Sequence, residues 1–217
     1  MRVLAVPVKS PMASKTRLGG ILSADERATL TLALFEDVLD ACLAQRDWET
    51  WVVSADDVVR RRAGLRGARP VVEAGRGLLR AVRQVEAEAA GAQALAVLLG
   101  DLPYLTTNEL VEALATPGSV VAAPAASDGG TNLLLRRPPS AIPARFGRAS
   151  FAKHALAARE AGLDLVSVRG RGLEHDLDRP SDLATLLASG HPGRARSACV
   201  RMGVASTLRA APVTEKG

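Results

Sequence analysis

Short apolar runs alternate with longer stretches of helical period along most of the chain. Residues 2–8 read as a strand, followed by a polar loop that runs to Gly20. A helix is expected over 23–45, because Ser23 with Glu26 makes a capping box and Leu32, Phe35, Leu39 and Cys42 form an apolar stripe. Further strands are expected at 48–54, 70–74, 94–99, 120–125 and 133–136, with short ones at 165–168 and 173–178. Helical patterns fill 56–63, 77–90, 106–115, 150–161 and 180–187. The run at 94–99 is apolar without a break, the pattern of a central strand buried on both faces. Such alternation predicts an α/β layer fold with a mostly parallel central sheet flanked by helices.

Charge changes the picture only at the end of the chain. The net charge is +5, but residues 191–217 carry Arg194, Arg196, Arg201, Arg209 and Lys216 against Glu215 alone. The remaining 1–190 are almost neutral, which argues against a nucleic-acid partner. That last segment shows no sustained periodicity. One domain over 1–190 is therefore expected, with 191–217 as a basic, mobile C-terminal tail. No run is long enough to span a membrane, and Met1-Arg2 leads straight into an apolar strand with no cleavage-site pattern. Cys42 and Cys199 are the two cysteines, so there is no disulfide framework and no CxxC metal site. A cytoplasmic protein is the expectation.

Candidate chemistry gathers where strands end. Asp101 follows the most buried strand, and in open parallel sheets ligands sit at the carboxyl ends of strands. Asp176 and Asp178 flank Leu177, so a strand period of two puts both carboxylates on one face. Like charges so close repel, and a hard dication is the usual compensation, which makes Asp101, Asp176 and Asp178 a candidate Mg²⁺ site. The other reading of Asp178 is a start signal for the helix at Pro180, and Asp182 reads as a first-turn acid suited to the helix dipole. Among 24 Arg there are only four Lys, yet Lys9 and Lys15 stand with Arg17 in the loop after the first strand. Cations there would neutralise a triphosphate and the charge on departing pyrophosphate. The loop lacks the GxxxxGK[ST] spacing of a P-loop. Gly129-Gly130-Thr131 and Gly147-Arg148-Ala149-Ser150 could each present backbone amides to an anion, although Ser150 also reads as a helix cap. His154, one turn into that helix, reads as a surface or packing residue.

Taken together, five segments resemble the CofC/FbiD family of phospholactate/phosphoenolpyruvate guanylyltransferases of coenzyme F-420 biosynthesis. They are Val6-Pro7-Val8-Lys9 with Ala13-Ser14-Lys15-Thr16-Arg17-Leu18; Gly100-Asp101-Leu102-Pro103; Asp128-Gly129-Gly130-Thr131-Asn132; Phe146-Gly147-Arg148-Ala149-Ser150-Phe151 with His154; and Asp176-Leu177-Asp178-Arg179-Pro180-Ser181-Asp182-Leu183. The resemblance covers residues 2–188. It implies a Rossmann-like nucleotidyltransferase fold, with Asp101, Asp176 and Asp178 as ligands of Mg²⁺. Lys9, Lys15 and Arg17 would then face the triphosphate, and Thr131, Gly147 and Ser150 would hold the acceptor's carboxylate and phosphate. GTP and a small phosphorylated acid are the implied partners. A downstream transferase of the deazaflavin pathway is a candidate protein partner, and the enzyme would be a monomer or homodimer.

Two departures stand out. The family carries Gly-Leu-Asn after the third strand, where this chain has Gly77-Leu78-Leu79, so an amide expected near the base is missing. A Thr cap of the last helix is replaced by Arg179, which cannot accept from helix amides. Phosphoenolpyruvate ranks first among acceptors on the Arg-biased, bacterial-looking composition, ahead of 2-phospho-L-lactate and 3-phosphoglycerate. The rival readings are a nucleotidyltransferase for a sugar phosphate or molybdopterin, and a catalytically silent regulatory domain of the same fold.

Overall fold

The computed structural model describes residues 1–75 and 77–210. Seven strands form one sheet: β1 (Arg2–Pro7), β2 (Glu49–Ser54), β3 (Arg69–Val72), β4 (Ala94–Leu98), β5 (Val120–Pro124), β6 (Thr131–Arg136) and β7 (Leu165–Ser167). Their spatial order is β3-β2-β1-β4-β6-β5-β7. All pairs are parallel except those of β6, which runs antiparallel to both β4 and β5. The expected mostly parallel α/β sheet is therefore present. β4 is buried along its whole length, as its unbroken apolar run requires.

Helices cover both faces. On one face α1 (Ala24–Leu43), α2 (Asp57–Leu65) and α4 (Thr107–Ala115) pack through Phe35, Val38, Leu39, Val59 and Leu110 onto Leu4, Val6, Ala96 and Leu98. On the other, α3 (Leu78–Glu88) and α5 (Ser150–Glu160) place Val82, Val85, Ala157 and Ala158 against Val3, Trp51, Leu95 and Leu134. The capping boxes Ser23/Glu26 and Thr106/Glu109 start α1 and α4. None of the described helices is long and apolar enough to cross a membrane.

Two expectations fail. Residues 173–178 form no strand; α6 (Arg171–Glu174) is a single helical turn, and the chain then runs extended without sheet partners. The segment after residue 190 is not a free extension: α7 (Pro180–Ala188) is followed by α8 (Arg194–Arg201) and α9 (Val204–Ala210), packed as one cluster on the outer side of α1. Ala195, Ala198, Cys199 and Val204 are buried there against Leu30, Leu34, Leu183 and Leu186. The clue was in α1, whose Leu30, Ala33 and Leu34 lie off the sheet-facing stripe and needed a second partner. Residues 211–217 of the expected tail lie outside the described residues.

Candidate active site

Asp101 stands three residues beyond β4, at the sheet's carboxyl edge. Gly100 makes that approach possible, because a Cβ there would sit 3.3 Å from the Val8 side chain and 3.4 Å from that of Val6. The loop from β1 returns towards Asp101 through two 3-10 turns, Pro11–Ala13 and Thr16–Leu18. Lys15 lies between them in the left-handed region (φ 54°, ψ 36°), a conformation that costs a non-glycine residue about 1 kcal/mol or more. Anchors hold it there: Leu18 is fully buried, Ser14 Oγ donates to the Ser10 carbonyl (2.9 Å), and Ser10 Oγ donates to Asp56 Oδ2 (2.9 Å).

In that pose the Lys15 ammonium bridges two carboxylates. Nζ donates to Asp101 Oδ2 at 2.7 Å and to Asp178 Oδ1 at 3.0 Å, with the Lys15 side chain only 5% exposed. Burial alone would lower the Lys15 pKa, but the two carboxylates outweigh it and hold it above the usual lysine range. Burial likewise pushes Asp178 up, and Lys15, Arg17 and Lys9 together bring it below the ordinary carboxylate value. Arg17 is exposed and reaches Asp178 Oδ2 at 3.4 Å. Asp176 goes the other way: burial, then the Asp101 charge, raise its pKa, although Ser127 Oγ donates to its Oδ1 at 3.0 Å.

These acids come from distant sequence, and specific bonds seat them. The Leu177 N–H donates to the Asp101 carbonyl (3.1 Å) and Ala126 N–H to the Glu174 carbonyl (2.8 Å). Asn132 Nδ2 donates to the Leu173 carbonyl (2.9 Å). Gly172 has no room for a side chain, since a Cβ would lie 2.7 Å from Leu105 Cα and from the Tyr104 carbonyl. Leu177 is fully buried between the two half-buried carboxylates. Arg179 makes no side-chain cap of α7; instead Asp182 reaches back to take the N–H groups of Asp178 (2.8 Å) and Arg179 (2.7 Å). Asp182 thus fixes the Asp178 backbone, a role beyond the first-turn acid its position suggests.

Asp101 Oδ1 is buried without a hydrogen-bond partner, while Asp101 and Asp178 share an ammonium. Among the described residues, no three His, Cys, Asp or Glu side chains stand close enough to form a ready metal cage. Lys15 fills the space between the two carboxylates.

A second polar cluster lies beside the first. Thr131, Ser150 and His154 are all buried. Ser150 Oγ and Thr131 Oγ1 are 3.0 Å apart, Thr131 Oγ1 and His154 Nδ1 3.0 Å, and the Arg145 N–H donates to His154 Nε2 at 2.8 Å. Ser150 does not cap α5; Ala149 holds the cap position in the left-handed region, and Gly147 precedes it at φ 127°. Burial first, then Arg136, Arg145 and Lys153, depress His154 to about 4, so the ring is neutral at neutral pH. The 127–130 turn links the clusters: Ser127 bonds Asp176, while the Asp128 and Gly129 carbonyls accept from Ala149 N (3.3 Å) and Phe151 N (3.2 Å). Sequence reasoning missed Ser127 and the Arg145–His154 bond, neither of which has a local signature, and gave Asp182 only its place in the first turn of α7. Leu79, the second residue of α3, is half-buried.

Residues 1–215 match the family described as "Guanylyl transferase CofC like". A phosphoenolpyruvate guanylyltransferase of Sphaerobacter thermophilus is 41% identical over 195 residues, 87% of this chain and 93% of that protein. A 3-phospho-D-glycerate guanylyltransferase of Phenylobacterium zucineum is 35% identical, covering 94% and 96%. A 2-phospho-L-lactate guanylyltransferase of Haloarcula marismortui is 38% identical, covering 85% and 84%. In fold, the chain is similar to a nucleotide-diphospho-sugar transferase-like crystal structure from Desulfovibrio desulfuricans G20, with a TM-score of 0.77 at 19% identity and coverage of 97% and 98%. With acids at the carboxyl edge of a nucleotidyltransferase-like sheet and this match along nearly its whole length, the chain belongs to the CofC-like guanylyltransferase family.

Proposed function

We propose that the protein transfers GMP from GTP to a phosphorylated three-carbon acid and releases pyrophosphate, as a step of coenzyme F-420 biosynthesis. Phosphoenolpyruvate is the first-choice acceptor, because the relative with 41% identity carries that name. The observation that carries the reading is the meeting of Lys15 with Asp101 and Asp178 beside a sheltered hydroxyl pair.

In this reading the acceptor's phosphate attacks the α-phosphorus of GTP in line, and the bond to the β-phosphate breaks. A phosphate monoester is already anionic at neutral pH, so the protein has to position and neutralise rather than deprotonate. Two of the three Lys15 N–H groups are spent on carboxylates, which leaves one for a phosphate oxygen. Lys9 and Arg17, both exposed, supply further positive charge to the triphosphate. Thr131, Ser150 and the backbone at Gly147 hold the acceptor's carboxylate and phosphate. The donors are of the hard oxygen type that Mg²⁺ takes: Asp101 Oδ1, buried and unpartnered, would hold it, with Asp176 and Asp178 as the further carboxylates, although the three form no ready cage around one point. Bound there, Mg²⁺ would offset charge on the reacting phosphates. The enzyme would act in the cytoplasm, where GTP is made, and its product would pass to a transferase for which GMP is the leaving group.

The test is pyrophosphate release from GTP and Mg²⁺ with phosphoenolpyruvate, 2-phospho-L-lactate and 3-phosphoglycerate in turn. Turnover with one of the three, abolished by EDTA, is expected. Release only with a sugar phosphate or molybdopterin, or with no acceptor at all, would refute the assignment.

A further inference from the structure

We propose that His154 is a positioning residue whose tautomer leaves one hydroxyl proton of the Thr131–Ser150 pair free to donate to the acceptor's anionic group. This rests on the reading of Thr131 and Ser150 as part of the acceptor pocket.

The argument is a count of protons along a buried chain. A backbone N–H can only donate, so the Arg145 N–H at 2.8 Å makes His154 Nε2 an acceptor. The neutral ring then carries its proton on Nδ1, which points at Thr131 Oγ1, 3.0 Å away. Thr131 Oγ1 and Ser150 Oγ are joined by a single link, also 3.0 Å. The three side chains therefore bring three protons to two links. One proton, from the ring, fills the His–Thr link, and one hydroxyl proton fills the Thr–Ser link. The second hydroxyl proton has no partner among the described residues. Ser150 is the donor of the Thr–Ser link, so the free proton sits on Thr131, which is 2% exposed where Ser150 is 0% exposed, and Thr131 is the one that can donate outward.

The opposite tautomer reverses the outcome. With the proton on Nε2, Nδ1 would accept from Thr131, Ser150 would donate to Thr131, and both hydroxyl protons would be consumed inside the protein. The pair would then present only lone pairs, which repel a carboxylate or phosphate oxygen. Arg145 is what forbids that state. Phe146, edge-on to the ring with centroids 5.4 Å apart, holds the imidazole in plane for both bonds. Full burial of Ser150 and His154 keeps bulk water from supplying a substitute donor.

The direct test is the long-range ¹H–¹⁵N spectrum of the imidazoles in the wild-type protein at pH 7. A proton on His154 Nδ1 is expected; a proton on Nε2, or a doubly protonated ring, overturns the proposal without reference to any variant. Kinetics supply the second readout, using GTP and whichever of the three acids turns over. An Asn amide places its N–H where Nδ1 was, whereas the equally long Asp carboxylate offers only lone pairs there and draws the Thr131 proton inward. His154→Asp should raise the acceptor KM roughly 10- to 100-fold, the range for losing a hydrogen bond to an anion, with the GTP KM unchanged. His154→Asn should stay close to wild type in both KM values. Equal effects of the two variants, or equal rises in both KM values, would overturn the proposal. Thr131→Val separates the two readings. If it leaves the acceptor KM unmoved, the pocket assignment and the proposal fall together. If it raises that KM while His154→Asp does not, the proposal alone fails.

Discussion

Replacing Asp37 by Ala should loosen the last two helices and lower the stability of the whole protein. Gly193, the residue before α8, has no side chain to cap it, and the cap comes instead from α1. Asp37 Oδ1 accepts from Arg194 N and Oδ2 from Ala195 N, both at 2.9 Å, with the carboxylate 14% exposed. A lost cap costs about 0.5–2 kcal/mol. Removing a negative charge from a helix N-terminus adds about 0.3–1 kcal/mol. The half-exposed Arg194 pair, 3.4 Å from Asp37 Oδ1, contributes little more. The total is about 1–3 kcal/mol, which for a protein of this size lowers Tm by roughly 3–10 °C. Urea unfolding would give the free energy, and amide exchange would show whether protection is lost first over 194–201. Asp37→Asn keeps an oxygen for one amide but loses the charge, so it should fall between the two. An Asp37→Ala protein that melts within about 1 °C of wild type, with exchange over α8 unchanged, would show that the cross-helix cap carries no weight.

Three further outcomes are expected. Asp101→Asn keeps an oxygen for Lys15 and should fold normally, yet turnover should drop more than ~100-fold because the unpartnered Oδ1 loses its charge; near-normal turnover at limiting Mg²⁺ would exclude it as a metal ligand. Leu79 cannot hydrogen-bond a purine, so GTP should be preferred over ATP by a narrower margin than in relatives with Asn there, and Leu79→Asn should widen it. The kcat/KM ratio for the two nucleotides decides this, and a ratio unmoved by the substitution clears position 79 of any part in base choice. With its pKa depressed to about 4, His154 contributes stability that is fully present above the unfolded value near 6.5 and is lost as pH falls towards 4. At pH 5 that loss is about 2 kcal/mol, so urea unfolding at pH 7 and 5 should show a shallower pH dependence in His154→Gln than in wild type.

What the sequence made legible were features that declare themselves within a few residues. The Ser23/Glu26 box set the start of α1, and the unbroken apolar run of β4 marked the central strand, hence the place of Asp101. Pairing did not show. Nothing within 131–136 says that β6 runs antiparallel between β4 and β5, because that choice is made by partners elsewhere. Residues 173–178 alternate like a strand, yet Gly172 must press against Tyr104 and Leu105, and the chain turns to let it. The segment after 190 looked aperiodic because α8 and α9 are short and bury small residues, Ala195, Ala198 and Cys199, in a surface that α1 provides. The Lys15 bridge follows the same rule: its cations and acids were visible singly, but their contact is a property of the folded chain.

The bridge also sets the order in which the parts of the cluster come into being during synthesis. Its three members are separated by 86 residues, from Lys15 to Asp101, and by 163 residues, from Lys15 to Asp178. The ribosome adds about 5–20 residues per second, so Lys15 and Asp101 are made several seconds before Asp178 exists. During that interval a nascent chain can pair β1 with β4 but has no residue 178 to complete the cluster. A translation product that stops short of Asp178 therefore lacks the third member of the cluster, whatever part of the sheet it has built.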